Sequence, residues 1–113
     1  MGWDFKERRD FDRIPIPATA NVFAHDESGN HLGRVRTLGR GGFLLVTDRR
    51  FPPGDIQIFT IVAEHCDVRR RVEAEQRYTS PDGHVGFEFK GVDPETTLKI
   101  ATLMERYRSS SDQ

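Results

Sequence analysis

Turn-forming clusters recur along this chain and divide it into segments suited to strands. They fall at 26–30, around Ser28-Gly29-Asn30, then at Gly39-Arg40-Gly41-Gly42, Pro52-Pro53-Gly54-Asp55 and Ser80-Pro81-Asp82-Gly83. Glycine frees and proline fixes the dihedrals that tight turns need, so each cluster stops a regular element. Between them the apolar residues keep a period of two. Ile14, Ile16, Ala18, Ala20 and Val22 alternate with Pro15, Pro17, Thr19, Asn21 and Phe23, the pattern of one half-buried strand. Pro15 and Pro17 offer no N–H to a ladder, which places the start of that strand at a sheet edge.

The same reasoning predicts strands over 31–38, 43–47, 56–63, 68–79 and 85–89. The 56–63 segment is apolar on both faces, with Ile56, Ile58 and Val62 against Phe59, Ile61 and Ala63, and such a strand needs cover on both sides. The final element changes period. Asp93 suits an N-cap, Pro94 the first helical position and Glu95 the positive end of the helix dipole. Leu98, Ala101, Met104 and Tyr107, flanked by Ile100 and Leu103, form a helical apolar stripe, and this helix is available to cover the outer face of the 56–63 strand. The expectation is a mainly β domain of six antiparallel strands closed by a C-terminal helix. Residues 13–108 form the ordered domain, 1–12 a flexible arm and 109–113 a disordered tail.

Charge excludes little but directs attention. The 113 residues carry 17 basic and 18 acidic side chains, a net charge of -1, so no global field favours nucleic acid. Cys66 is the one cysteine; it makes no internal disulfide, consistent with a reducing cytoplasm. No apolar run is long enough to span a bilayer, and the charged start lacks the core of a signal peptide. His25, His31, His65 and His84 are scattered near strand ends and read as solvent-facing or capping groups, with no metal set. His65 and Cys66, neighbours on an expected strand, point to opposite faces and make no catalytic pair. The glycines of 39–42 are followed by no Gly-Lys-Ser/Thr, and no GxGxxG is present. Nothing marks an enzyme or a cofactor site.

The arginines are more informative. Arg9 and Arg13, four apart, share a face of a strand or a helix, and Arg8 adds a third guanidinium. A guanidinium grips phosphate through two parallel hydrogen bonds, reads the guanine edge or stacks on a purine. Equally, Arg8, Arg9, Asp10 and Asp12 fit a solvated, self-paired charge run.

In order along the chain, Arg9-Asp10-Phe11-Asp12-Arg13 matches an RxxxR motif, 37–45 lies where a [D/N]xSxxG turn and strand would follow, and Val85-Gly86-Phe87-Glu88-Phe89 fits a last barrel strand before a helix. On these residues the chain resembles the PilZ domains, bacterial receptors for cyclic di-GMP. The resemblance covers about residues 8–107. It implies a six-stranded antiparallel β-barrel with a C-terminal helix and a flexible N-terminal arm. It also implies cyclic di-GMP as ligand, held by Arg9 and Arg13 with Arg8 assisting. The turn residues Thr37, Gly39, Arg40 and Gly42 would complete the pocket, and the arm would fold over the ligand to signal to a protein partner.

The second motif departs from the family pattern. Thr37 stands at the acidic or amide position and Gly39 at the serine position; Gly42 is retained. Thr37 offers one hydroxyl where a carboxylate would accept from two guanine nitrogens, and Gly39 offers none. Backbone N–H groups of the turn, or Arg40, are available to compensate. Two readings follow, a cyclic di-GMP sensor or a PilZ-like adaptor that has lost the nucleotide and acts through protein contacts. Single-stranded nucleic-acid binding fits poorly, because the charge is balanced and no aromatic ladder is present. The expected protein is cytoplasmic, monomeric or homodimeric, and not inserted in a membrane.

Overall fold

The computed structural model describes residues 13–111. The expected arm over 1–12, including Arg8 and Arg9, lies outside the described residues, as do residues 112–113. The described chain forms β1 (Arg13–Pro15), β2 (Val22–His25), β3 (His31–Gly39), β4 (Gly42–Val46), β5 (Ile56–Ala63), β6 (Val68–Thr79), β7 (His84–Gly91) and helix α1 (Pro94–Ser111). Every strand pairing is antiparallel. Strands β2 to β7 close into a six-stranded barrel in the order β2–β3–β4–β7–β6–β5, and β1 is an extra strand on the edge of β3.

The single first strand expected over 14–23 is in fact interrupted. Arg13 pairs with Gly39 and Pro15 with Thr37, while Phe23 pairs with Arg34 further along the same edge. Ile16 N donates to Arg36 O at 2.8 Å, and the chain then leaves the ladder as a 3-10 turn, Ala18–Ala20, ending at Asn21 with φ 55. Pro17, with φ held at -59, leads into the turn, and asparagine tolerates the left-handed region better than most residues. Alternation hides the break because Ala20, inside the turn, is still buried.

Inward residues fill the barrel. Phe43, Phe59 and Phe87 form its aromatic centre, with ring centroids 4.7 to 5.4 Å apart, surrounded by Val22, Val35, Leu45, Ile61, Val72 and Val85. Truncating one of these phenylalanines to alanine costs roughly 3–5 kcal/mol in a core this tight.

Helix α1 begins as its sequence requires. Asp93 Oδ1 accepts from Thr96 N at 2.7 Å, and Arg70 reaches from β6 to donate to Thr96 Oγ1 at 3.1 Å, close to Asp93 and Glu95. The Thr96 N–H bond holds the Asp93 carboxyl below its ordinary pKa. The helix packs mainly against β1, β3 and β6, not on the outer face of β5, so Ile56 there stays 54% exposed. Its buried stripe is Thr96, Ile100, Leu103, Met104 and Tyr107; Leu98 points to solvent at 69% exposure. The helix also continues to Ser111, past the boundary expected at residue 108.

His65 and Cys66 sit in a 3-10 turn, Glu64–Cys66, rather than on a strand. His65 Nε2 lies 3.2 Å from both Asn21 Nδ2 and Thr19 O, tying this turn to the first one. The half-buried Cys66 thiol lies 3.6 Å from Tyr107 Oη. Among the described residues no helix is long and apolar enough to cross a membrane, and no three His, Cys, Asp or Glu side chains gather as a metal site.

Candidate functional site

The sequence-predicted residues that are described converge on the outer face of one barrel wall. A row of paired residues crosses five strands there: Pro15 on β1, Thr37 on β3, Leu44 on β4, Gly86 on β7 and Tyr78 on β6. Their sequence neighbours Leu38, Phe43, Leu45, Val85 and Phe87 point into the core, which fixes the row on the outside by the period of two. The adjacent row runs from Arg13 through Gly39 to the hairpin, then from Gly42 to Glu88 and Glu75.

Small residues keep this wall shallow. Arg40 and Gly41 form the exposed tip of the β3–β4 hairpin. The glycines of this turn do not serve through positive φ, which is found instead at Gly29, Gly54 and Gly83. Gly42 serves through close approach: a Cβ there would lie 2.0 Å from the Phe87 carbonyl oxygen. Gly86 plays a different part. A Cβ at Gly86 would lie 2.2 Å from the ring of Tyr78, so the ring lies against the sheet where the glycine leaves room.

Above this wall a side chain from β1 and one from β6 meet. Arg13 Nη1 donates to Tyr78 Oη at 3.1 Å, and the guanidinium carbon lies 6.0 Å from the centre of the ring. Thr37 Oγ1, in the row between Pro15 and Tyr78, is buried and has no hydrogen-bond partner among the described residues. An unpaired buried hydroxyl costs about 1–3 kcal/mol. Beside the row, Arg77 and Lys90 both bridge Glu75 and Glu88 at 3.3 to 3.5 Å. These contacts, that with Glu75 foremost, raise the Lys90 pKa. The carboxylates nearest the wall are thus already neutralised by cations.

The structure therefore brings together Arg13, Thr37, Gly39, Arg40 and Gly42. Arg8 and Arg9 lie outside the described residues. Sequence reasoning missed Tyr78, and the one signal available was an aromatic residue on a long strand whose partner strand carries the glycine of Val85-Gly86-Phe87. Chemically, the wall offers a guanidinium, a flat aromatic surface and a hydroxyl without a partner among the described residues. An anion would form charge-assisted hydrogen bonds with Arg13 that are stronger than its neutral bond to Tyr78. Its displacement would uncover the face of the ring.

Compared with protein families, the chain matches the family model described as PilZ domain over residues 7–106. No curated protein matches the chain.

Proposed function

From the premise that the chain belongs to the PilZ domain family, a family of cyclic di-GMP receptors and adaptors that bind rather than catalyse, we propose that it senses cyclic di-GMP. The ligand lies on the outer wall across β3, β4 and β7. Arg13, with Arg9 and Arg8 preceding it, grips phosphate and guanine; the Tyr78 ring offers a stacking surface; Thr37, Gly39, Arg40 and Gly42 border the base. Ligand capture of Arg13 changes the arm, and a protein partner reads that change. On this reading the protein works in a bacterial cytoplasm.

The observation that carries this reading is the meeting of Arg13 and Tyr78 over a glycine-lined wall. A guanidinium and an aromatic face, side by side and part-buried, form an apt pair for a phosphate joined to a purine.

A second reading, an adaptor without nucleotide binding, is favoured by one specific feature. Thr37 supplies a hydroxyl and Gly39 no side chain where the family pattern has stronger partners. Each absent hydrogen bond costs on the order of 1 kcal/mol, so the two together weaken binding roughly ten- to a hundredfold.

Calorimetric titration of the whole chain with cyclic di-GMP separates the two. Micromolar or tighter binding that disappears in Arg9→Ala and Arg13→Ala supports the sensor. A folded chain that takes up no cyclic di-GMP at millimolar concentration supports the adaptor.

A further inference from the structure

The barrel end away from α1 carries a second concave site. Strand β6 begins near the helix, where Arg70 meets Thr96, and its far end at Thr79 enters a cleft of about 400 Å3 between the β4–β5 loop and the β6–β7 turn. That volume lies within the range of ordinary binding pockets.

The floor is apolar and fixed. Phe51 packs edge-on against Phe87 at 5.1 Å and tilted against Phe59 at 6.1 Å, so the barrel core holds the ring in place, and Val85 lies beside it in the cleft. The walls are pinned as well. Thr47 N donates to Gly83 O at 3.4 Å and Gly54 N to Gln76 O at 3.2 Å. Arg49 N donates to Thr47 Oγ1 at 3.0 Å, and Gln76 Nε2 to Thr79 Oγ1 at 3.0 Å. The site is therefore formed before anything enters it.

Its polar groups are unequally engaged. The hydroxyls of Thr47, Thr79 and Ser80 already serve internal hydrogen bonds. The guanidinium groups of Arg49 and Arg50 have no ion pair among the described residues, whereas Arg70, Arg71, Arg77 and Lys90 each have at least one. Asp48 also lines the cleft, leaving one net positive charge over an aromatic floor.

We propose that this cleft docks an acidic peptide segment of a protein partner, with an apolar side chain on Phe51 and flanking carboxylates on Arg49 and Arg50. The inference stands whether or not the outer wall takes a nucleotide. What remains free in the cleft is apolar surface and a net positive charge, and that pair complements a carboxylate next to an apolar side chain. Thr79 directly follows Tyr78, so one strand carries both the cleft wall and the aromatic of the nucleotide site.

The test is nuclear magnetic resonance titration of the isotope-labelled full chain with acetylated, amidated Asp-Phe-Glu-Leu-Asp. Its uncharged counterpart Asn-Phe-Gln-Leu-Asn and inorganic phosphate serve as separate probes. The expected result is saturable shifts confined to 47–51 and 79–85, with a Kd on the order of 100 μM to 1 mM. Affinity falls at least tenfold for the uncharged peptide and for the double variant Arg49→Ala, Arg50→Ala, and it weakens as salt rises. Both arginines are exposed, so the double variant keeps the parent's melting temperature. Shifts elsewhere, equal binding by the uncharged peptide or the variant, no saturation at several millimolar, or the same shifts from phosphate alone would each overturn the proposal.

Discussion

Arg13 and Tyr78 stand 65 residues apart in the chain, yet the guanidinium of one donates to the phenol of the other at 3.1 Å. This contact competes with any ligand that needs Arg13. Removing only the phenol oxygen leaves the stacking ring and abolishes the competitor, a neutral-acceptor bond worth about 1 kcal/mol. Tyr78→Phe should therefore raise cyclic di-GMP affinity about two- to fivefold. Tyr78→Ala, which also loses the ring, should lower it at least tenfold. Calorimetry on the two variants checks the pair, and equal losses in both would show that the ring does not contribute.

Gly42 and Gly86 are both too crowded for a side chain, but their neighbours differ in how far they can yield. At Gly42 the obstacle is the Phe87 carbonyl, fixed in the β4–β7 ladder; at Gly86 it is the side chain of Tyr78, which can swing outward. Gly42→Ala should thus destabilise by about 3 kcal/mol or more, and Gly86→Ala by about 1–2 kcal/mol. Gly86→Ala should also weaken the proposed nucleotide site, because its Cβ lifts the ring off the wall. Denaturant melts give the first comparison and calorimetry the second.

Thr37 carries a buried hydroxyl without a partner among the described residues. Replacement by valine keeps the shape and deletes the orphan, so Thr37→Val should leave stability unchanged or raise it by up to about 1 kcal/mol. Thr37→Asp restores a two-point acceptor for guanine. It should tighten cyclic di-GMP binding about tenfold relative to the parent while lowering the stability of the free protein. Chemical denaturation and calorimetry on the same preparations test both halves.

Much of this fold was legible because strands and turns announce themselves locally. The start of β5 at Ile56 and the end of β6 at Thr79 follow from the flanking turn clusters, and the Asp93 cap from residue chemistry. The misreadings have physical causes. Alternation runs unbroken through 14–22 although Pro17 and Asn21 take the backbone out of the ladder. Leu98 is more apolar than Thr96, but Thr96 stands four residues before Ile100 and finds a donor in Arg70, so the threonine is buried and the leucine exposed. The site was half legible. Arg13 stands out by its spacing from Arg9, and Thr37 and Gly42 lie at a turn that the sequence displays, whereas Tyr78 joins them only through barrel closure, a long-range pairing with no local signature.

His25 tests the electrostatics of the opposite barrel wall. Its ring lies 5.7 Å from that of His31. Burial, then the charges of His31 and Arg69, lower its pKa below 6.5, against smaller opposing effects of Asp26 and Glu64. A lowered folded pKa means that the unfolded chain takes up this proton first as pH falls. The neutral ring's contribution to stability is therefore complete above about pH 6.5 and is lost as pH drops through the folded value. His31→Ala removes the second cause and leaves the first, so the His25 midpoint should rise without reaching 6.5. Ring-proton resonances followed from pH 8 to 4.5 report both midpoints directly. Thermal melts should show the parent losing more stability than His31→Ala between pH 7 and 5. A His25 midpoint at 6.5 or above in the parent would mean that water reaches the ring freely and that this wall is looser than its packing indicates.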